Sequence, residues 1–197
     1  MGFFRASEHA YVPTVYDFVI MSCMNTKRLT SLAMLIALYC VLSILTPVRV
    51  ANFKFTFEAF PILVAGLLSG PIDGLIVGGV GSFIYQLLFS GYGITATTLL
   101  WILPHALSGL IVGLYGEKKN FDLNRKEIIF ICIVSALLVT SLNLLALYID
   151  SKLYGYYSFA LVFGNLIIKI IAGIILAVIY ASIMPQLLSF LQKKQGR

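Results

Sequence analysis

Seven polar side chains interrupt long apolar stretches of this chain: Glu58, Asp73, Gln86, His105, Asn143, Asn165 and Lys169. A polar or ionisable group held in hydrocarbon is costly, so each is a candidate for binding or transport chemistry. Asn165 and Lys169 are four residues apart and therefore share one helical face. An ammonium there needs an anionic or carbonyl partner. Glu58 could supply it from within the chain, and a ligand carboxylate could supply it from outside. His105 follows Pro104 and lies one turn beyond Trp101, so imidazole and indole either meet a ligand together or pack. Asn143 suits a bridge between helices equally well. Asp73 lies in the turn Gly-Pro-Ile-Asp-Gly (70–74), where water or a partner protein would solvate it.

Catalysis has few players. Of the two histidines, His9 falls in an atypical N-terminal stretch, so no His-based metal site can be assembled. There is no Gly-x-Ser-x-Gly elbow, no His-Glu-x-x-His and no paired-carboxylate motif. Nor is there a phosphate-binding loop, so any ATP hydrolysis must reside in another subunit. Cys23, Cys40 and Cys132 match neither a disulfide framework nor a zinc spacing and read as small apolar residues. Binding remains. Two alternatives stay open: a membrane-embedded enzyme or chaperone using His105, Glu58 or Lys169, and a transporter that works alone.

The elements that must position these groups are membrane helices. The 197 residues are 60% hydrophobic and 11% charged, with a mean hydropathy of +0.97. A soluble domain carries about 25% charged residues, and a globule of this size cannot hide so much apolar surface, whereas lipid accepts it. Apolar runs at 29–46, 57–68, 72–89, 98–115, 128–149 and 158–184 predict an all-α protein of six transmembrane helices. The second run is short for a span, since twelve residues rise only about 18 Å. Pro185 falls near the end of the sixth, with a Gln/Lys tail beyond. Residues 1–23 read as an upstream extension, a start-site artefact or a short interfacial segment, because Met24 followed by Lys27, Arg28 and an apolar run resembles a natural start. The six-helix domain is then 24–197.

The net charge of +6 does not imply nucleic acid, because the basic residues lie between apolar runs rather than in one patch. With six helices both termini share a side. That side collects nine basic residues: Lys27, Arg28, Lys118, Lys119, Arg125, Lys126, Lys193, Lys194 and Arg197. The other side has Arg49, Lys54 and Lys152. The bias places both termini in the cytoplasm. The outward loops are then 47–56, 90–97 and 150–157. In the first, Asn52, Lys54, Thr56 and Glu58 alternate with Phe53, Phe55 and Phe57. Alternation of period two predicts an extended segment between helices one and two. Its backbone cannot face lipid, so it should cap the bundle. The second loop, which includes Tyr92, is glycine-rich, and the third carries Tyr154, Tyr156 and Tyr157. These aromatics suit either an interfacial belt or a lid over a flat heterocycle.

Small residues recur every four positions at Gly66, Gly70, Gly74, Gly78 and Ser82, a row that lets helices approach closely. Ala33-x-x-x-Ala37 is a shorter version on the first helix. With the stretch from Phe53 to Gly78, notably Pro-Ile…Ala-Gly…Gly-Pro…Gly…Val-Gly (61–78), these features resemble substrate-binding S components of energy-coupling-factor importers. Tyr92-Gly-Ile-Thr-Ala-Thr-Thr-Leu-Leu-Trp-Ile-Leu-Pro and Ser108-Gly-Leu look most like the folate-type branch. The resemblance covers 27–194. It implies a subunit of a bacterial plasma membrane that captures a vitamin from outside with high affinity. It also implies docking, through Ala33 and Ala37, on a transmembrane coupling subunit carrying two ATPases, followed by release inward. No cofactor is implied beyond the transported ligand. Folate has a flat pterin and a carboxylate tail. Chemically, Trp101, Tyr92 and His105 suit the ring, Gln86 and Asn165 its donor/acceptor edge, and Arg49, Lys54, Lys152 and Lys169 the tail. Riboflavin would need fewer cations, and Asn165 with Lys169 would suit it too.

Overall fold

The computed structural model describes residues 26–45, 48–50, 53–55, 57–89, 94–155, 158 and 166–195. Two compact units are distinguished, Met1–Ser31 and Leu32–Arg197. Of the first, the described part is the opening of helix α1 (Thr26–Leu45). Here the Thr30 and Ser31 hydroxyls donate back to the carbonyls of Thr26 and Lys27, at 2.8 and 2.9 Å. The extension expected at 1–23 lies outside the described residues.

In the second unit, α1 is followed by a hairpin of β1 (Val48–Val50) and β2 (Phe53–Phe55), with Val48 opposite Phe55, Arg49 opposite Lys54 and Val50 opposite Phe53. The extended segment expected between the first two helices is thus a two-stranded ribbon that pairs its own backbone groups. Then come α2 (Ala59–Ser69), α3 (Pro71–Leu88), α4 (Thr98–Lys118), α5 (Arg125–Leu153) and α6 (Leu166–Gln195). Among the described residues there are six helices, and five of them are long and apolar enough to cross a membrane. The exposed faces of these five carry large apolar side chains such as Met34, Leu99, Phe130, Ile174 and Phe190. Lipid is the solvent that such faces require.

The exception is α2. Its 11 residues are too few to span, and Pro61 through Leu67 are all buried. Leu63, Val64 and Leu67 pack with Val112 of α4, Ile128, Ile131 and Cys132 of α5, and Tyr180, Met184 and Leu188 of α6. Ile62 and Ala65 pack with Leu32 and Tyr39 of α1 and Val77 of α3. The short apolar run is short because it is the centre of the bundle rather than a wall of it. Gly70 ends it with φ +106°, and Pro71 starts α3 at the position where a missing N–H is harmless.

The glycine row of α2 and α3 is a seam against α4. A β-carbon on Gly74 would collide with the Gly109 carbonyl, and one on Gly113 would collide with Pro71. Gly66 faces Gly113 and Val112 at 3.0 Å, and Gly78 abuts the His105 carbonyl. The seam therefore binds helices of this chain to one another and is not open to a partner. Asp73 is a correction of the same kind. It stands in the first turn of α3 but is buried to 1% exposure, so the turn around it is covered rather than open to water. An acidic group there is favoured by the positive end of the helix.

Two helix ends differ from expectation. α5 continues through Asp150 to Leu153, so Asp150 is helical rather than part of a loop. α6 passes through Pro185 to Gln195. The proline withholds an N–H from the Ala181 carbonyl, but buried Met184 and Leu188 on either side carry the helix onward by packing. At the end of the bundle remote from the hairpin, Asn124 and Glu127 form a capping box on α5. The Lys119 ammonium lies 2.6 Å from Glu127, and its hydrogen bond to that carboxylate raises the Lys119 pKa.

Candidate functional site

Polar groups gather where the second half of α1, the start of α2 and the first turns of α4 meet. Glu58 immediately precedes α2 in the helical conformation, yet its side chain makes no capping bond. It turns to α1 instead. The Ser43 hydroxyl donates to Glu58 Oε2 at 2.8 Å, and His105 Nε2 of α4 stands 3.7 Å from Oε1. That second distance is too long for a hydrogen bond but close enough for electrostatic contact. Ser43 is fully buried, whereas the Glu58 side chain retains 20% exposure and His105 10%. The carboxylate is thus anchored on one oxygen and partly open.

Aromatic rings surround it. Tyr39, four residues before Ser43 and so on the same face of α1, meets His105 edge-on at 5.9 Å and 82°. Its ring lies directly over Gly81 of α3, where a β-carbon would be 2.8 Å away. Phe57 meets Tyr180 of α6 edge-on at 6.2 Å. The Tyr180 hydroxyl is buried with no hydrogen-bond partner among the described residues. Tyr85 packs beside Tyr39 and stacks on Phe89 at 6.3 Å. Buried polar groups flanked by ring faces and edges can hold a flat, hydrogen-bonding molecule.

A second polar knot fastens the start of α4 to the end of α5. The Thr97 hydroxyl donates to Asp150 Oδ1. Thr95 N donates to Thr98 Oγ1 at 2.8 Å, and the Thr95 hydroxyl lies 3.2 Å from that of Thr97. Deeper in the bundle, the Ser108 and Ser135 hydroxyls pair at 2.7 Å across α4 and α5. Among the described residues, no three of His, Cys, Asp and Glu cluster as a metal set.

Of the residues singled out in the sequence, His105 stands in the cluster. Trp101 is half-buried one turn earlier on α4, and Gln86 is half-buried in the last turn of α3. Arg49 and Lys54 occupy opposite positions of the hairpin, and Lys169 is in the first turn of α6. The side chains of these three, and Tyr92 and Asn165 entirely, lie outside the described residues. Backbone register sets the level of position 169. Gly173 faces Thr140 and the two helices run antiparallel, so residue 169 lies near the level of Asn143, whose Oδ1 is buried without a hydrogen-bond partner among the described residues. Ala33 and Ala37 are away from the cluster, on an exposed face of α1 with Met34, Leu38 and Val41. Ser43, Tyr39 and Tyr180 were not legible as site residues, because a serine or tyrosine in a membrane helix carries no distinguishing pattern. Glu58 was legible as costly; among the described residues its contacts are Ser43 and His105, and the Lys169 side chain expected as its internal partner lies outside them.

A multi-span membrane bundle with a partly open polar and aromatic site at one end is the architecture of a membrane receptor for a small molecule. The family model for ECF transporter, substrate-specific component, matches residues 27–188, and the chain belongs to that family. It is similar to the crystal structure of FolT bound with folic acid, with 25% identity and TM-score 0.61 over 79% of this chain and 90% of that one. It is also similar in fold to the S component for biotin from an ECF-type ABC transporter, with 20% identity and TM-score 0.57 over 81% of this chain and 92% of that one. Among curated proteins, none matches the sequence significantly.

Proposed function

We propose that the protein is the high-affinity vitamin-binding subunit of an ECF-type importer, with folate as its ligand. The similarity to FolT bound with folic acid carries this reading. The chemistry of the cluster supports it, since the half-buried Tyr85, Phe57 and Trp101 offer surfaces for a flat ring, and Glu58, held by the buried Ser43 and faced by His105, offers a polar group for its edge. Arg49 and Lys54, opposite one another in the hairpin, and Lys169 are the cations we assign to the ligand's carboxylate tail, with Gln86, Tyr92 and Asn165 as further contacts.

In this reading the hairpin end faces outward and both termini are cytoplasmic, in a bacterial plasma membrane, with residues 24–197 as the working domain. The basic residues near Lys119 and Arg125 then lie on the cytoplasmic side, as the positive-inside rule requires. The ATPase chemistry belongs to partner subunits. The open face of α1 bearing Ala33 and Ala37 docks on the coupling subunit, where small side chains permit close helix approach. Mass spectrometry of the small molecule that co-purifies with the protein in detergent tests the ligand. A folate is expected, and recovery of a flavin or biotin instead would overturn the folate assignment.

A further inference from the structure

The Glu58 carboxylate stands beside His105, and among the described residues it accepts a single hydrogen bond. Oε2 accepts from Ser43 at 2.8 Å. Among the described residues, Oε1 has His105 Nε2 at 3.7 Å and no donor at hydrogen-bonding distance. A carboxylate offers about four lone-pair sites, and leaving them unfilled where water is scarce is costly. With 20% of the side chain exposed, the carboxylate is not fully enclosed by the described residues. The orientation is fixed from two sides, by a fully buried serine on α1 and by an imidazole on α4 that is itself held edge-on by Tyr39. A half-coordinated carboxylate held in one orientation matches a planar ligand edge that presents two adjacent N–H donors, the arrangement that a carboxylate accepts as a parallel pair.

We propose that Glu58 is the specificity-determining acceptor of this site and reads a paired N–H edge on the ligand, with Ser43 and His105 as its positioning residues. The inference rests on the folate reading, because the pterin ring carries such an edge in its ring N–H and exocyclic amino group. It selects against flat rings whose corresponding edge lacks two donors. An isosteric Glu58→Gln change would set an amide N–H against a ligand N–H while keeping the shape.

The test measures binding of folate and of the analogue in which the ring amino group is replaced by methyl. Wild type and Glu58→Gln are compared as purified protein in detergent, each checked for monodispersity. Wild type is expected to favour folate by about tenfold to a hundredfold, and Glu58→Gln to bring the ratio close to one. Ser43→Ala is expected to narrow the ratio in the same direction. Loss of overall affinity with the ratio preserved would assign Glu58 a structural role and overturn the inference alone. Equal binding of both ligands by wild type would do the same without reliance on a variant. A wild type that binds neither overturns the folate reading as well, so the two failures are distinguishable.

Discussion

The glycine seam and the Glu58 cluster lie on the same helices and follow opposite rules. Along the seam, α2, α3 and α4 approach until backbone meets backbone, with Gly74 on Gly109 and Gly113 on Pro71. One turn before Gly109, the same α4 carries His105 toward a carboxylate that, among the described residues, accepts a single hydrogen bond. In lipid there is no hydrophobic force between helices, so close packing must supply association. The seam supplies it and leaves no room for variation. Rigidity there lets the other region hold polar groups that would otherwise be intolerable. The small residues of α2, α3 and α4 build the scaffold, and the polar cluster proposed for recognition sits beside them rather than on them.

Gly109→Leu should have the largest effect. Its side chain would have to enter the Gly74 backbone, and loss of monodisperse protein on size-exclusion chromatography is expected. A folded, ligand-binding variant would show that the seam is not the scaffold. Ala37→Trp probes a small residue that is exposed instead of packed, so folding and ligand binding should survive. Uptake in cells carrying the complete importer should be lost, because the docking face is blocked. Preserved uptake would remove α1 from the docking assignment. Gly81→Ala sharpens the boundary between the two regions. Its β-carbon displaces the Tyr39 ring that braces His105, with a cost of about 1–3 kcal/mol from overpacking. Thermal unfolding should show a modest drop and ligand titration a weakened affinity. An unchanged affinity would detach Tyr39 from the site.

Much of the fold was readable because membrane helices write themselves in long apolar runs. The small-residue period at 66–82 pointed to close packing, and α4 is the partner it meets. What could not be read was which helix sits inside. The run ending at Leu68 looked like a doubtful span, whereas Pro61–Leu67 is the buried centre, a distinction made by neighbours and not by hydropathy. Asp73 looked solvated for the same reason, since glycine and proline beside it signal a turn but not whether the turn is covered. Pro185 reads locally as a stop, and tertiary packing at Met184 and Leu188 overrides it. At the site, His105 and Glu58 stood out because ionisable groups are rare in such helices. Their pairing, across 47 positions of sequence and through Ser43 on a third helix, has no local signature.

Whether this chain binds folate is read directly by calorimetric titration of folate into the purified wild-type protein. One-to-one binding at sub-micromolar affinity is expected. Absence of folate binding by a folded, monodisperse protein would contradict the folate assignment.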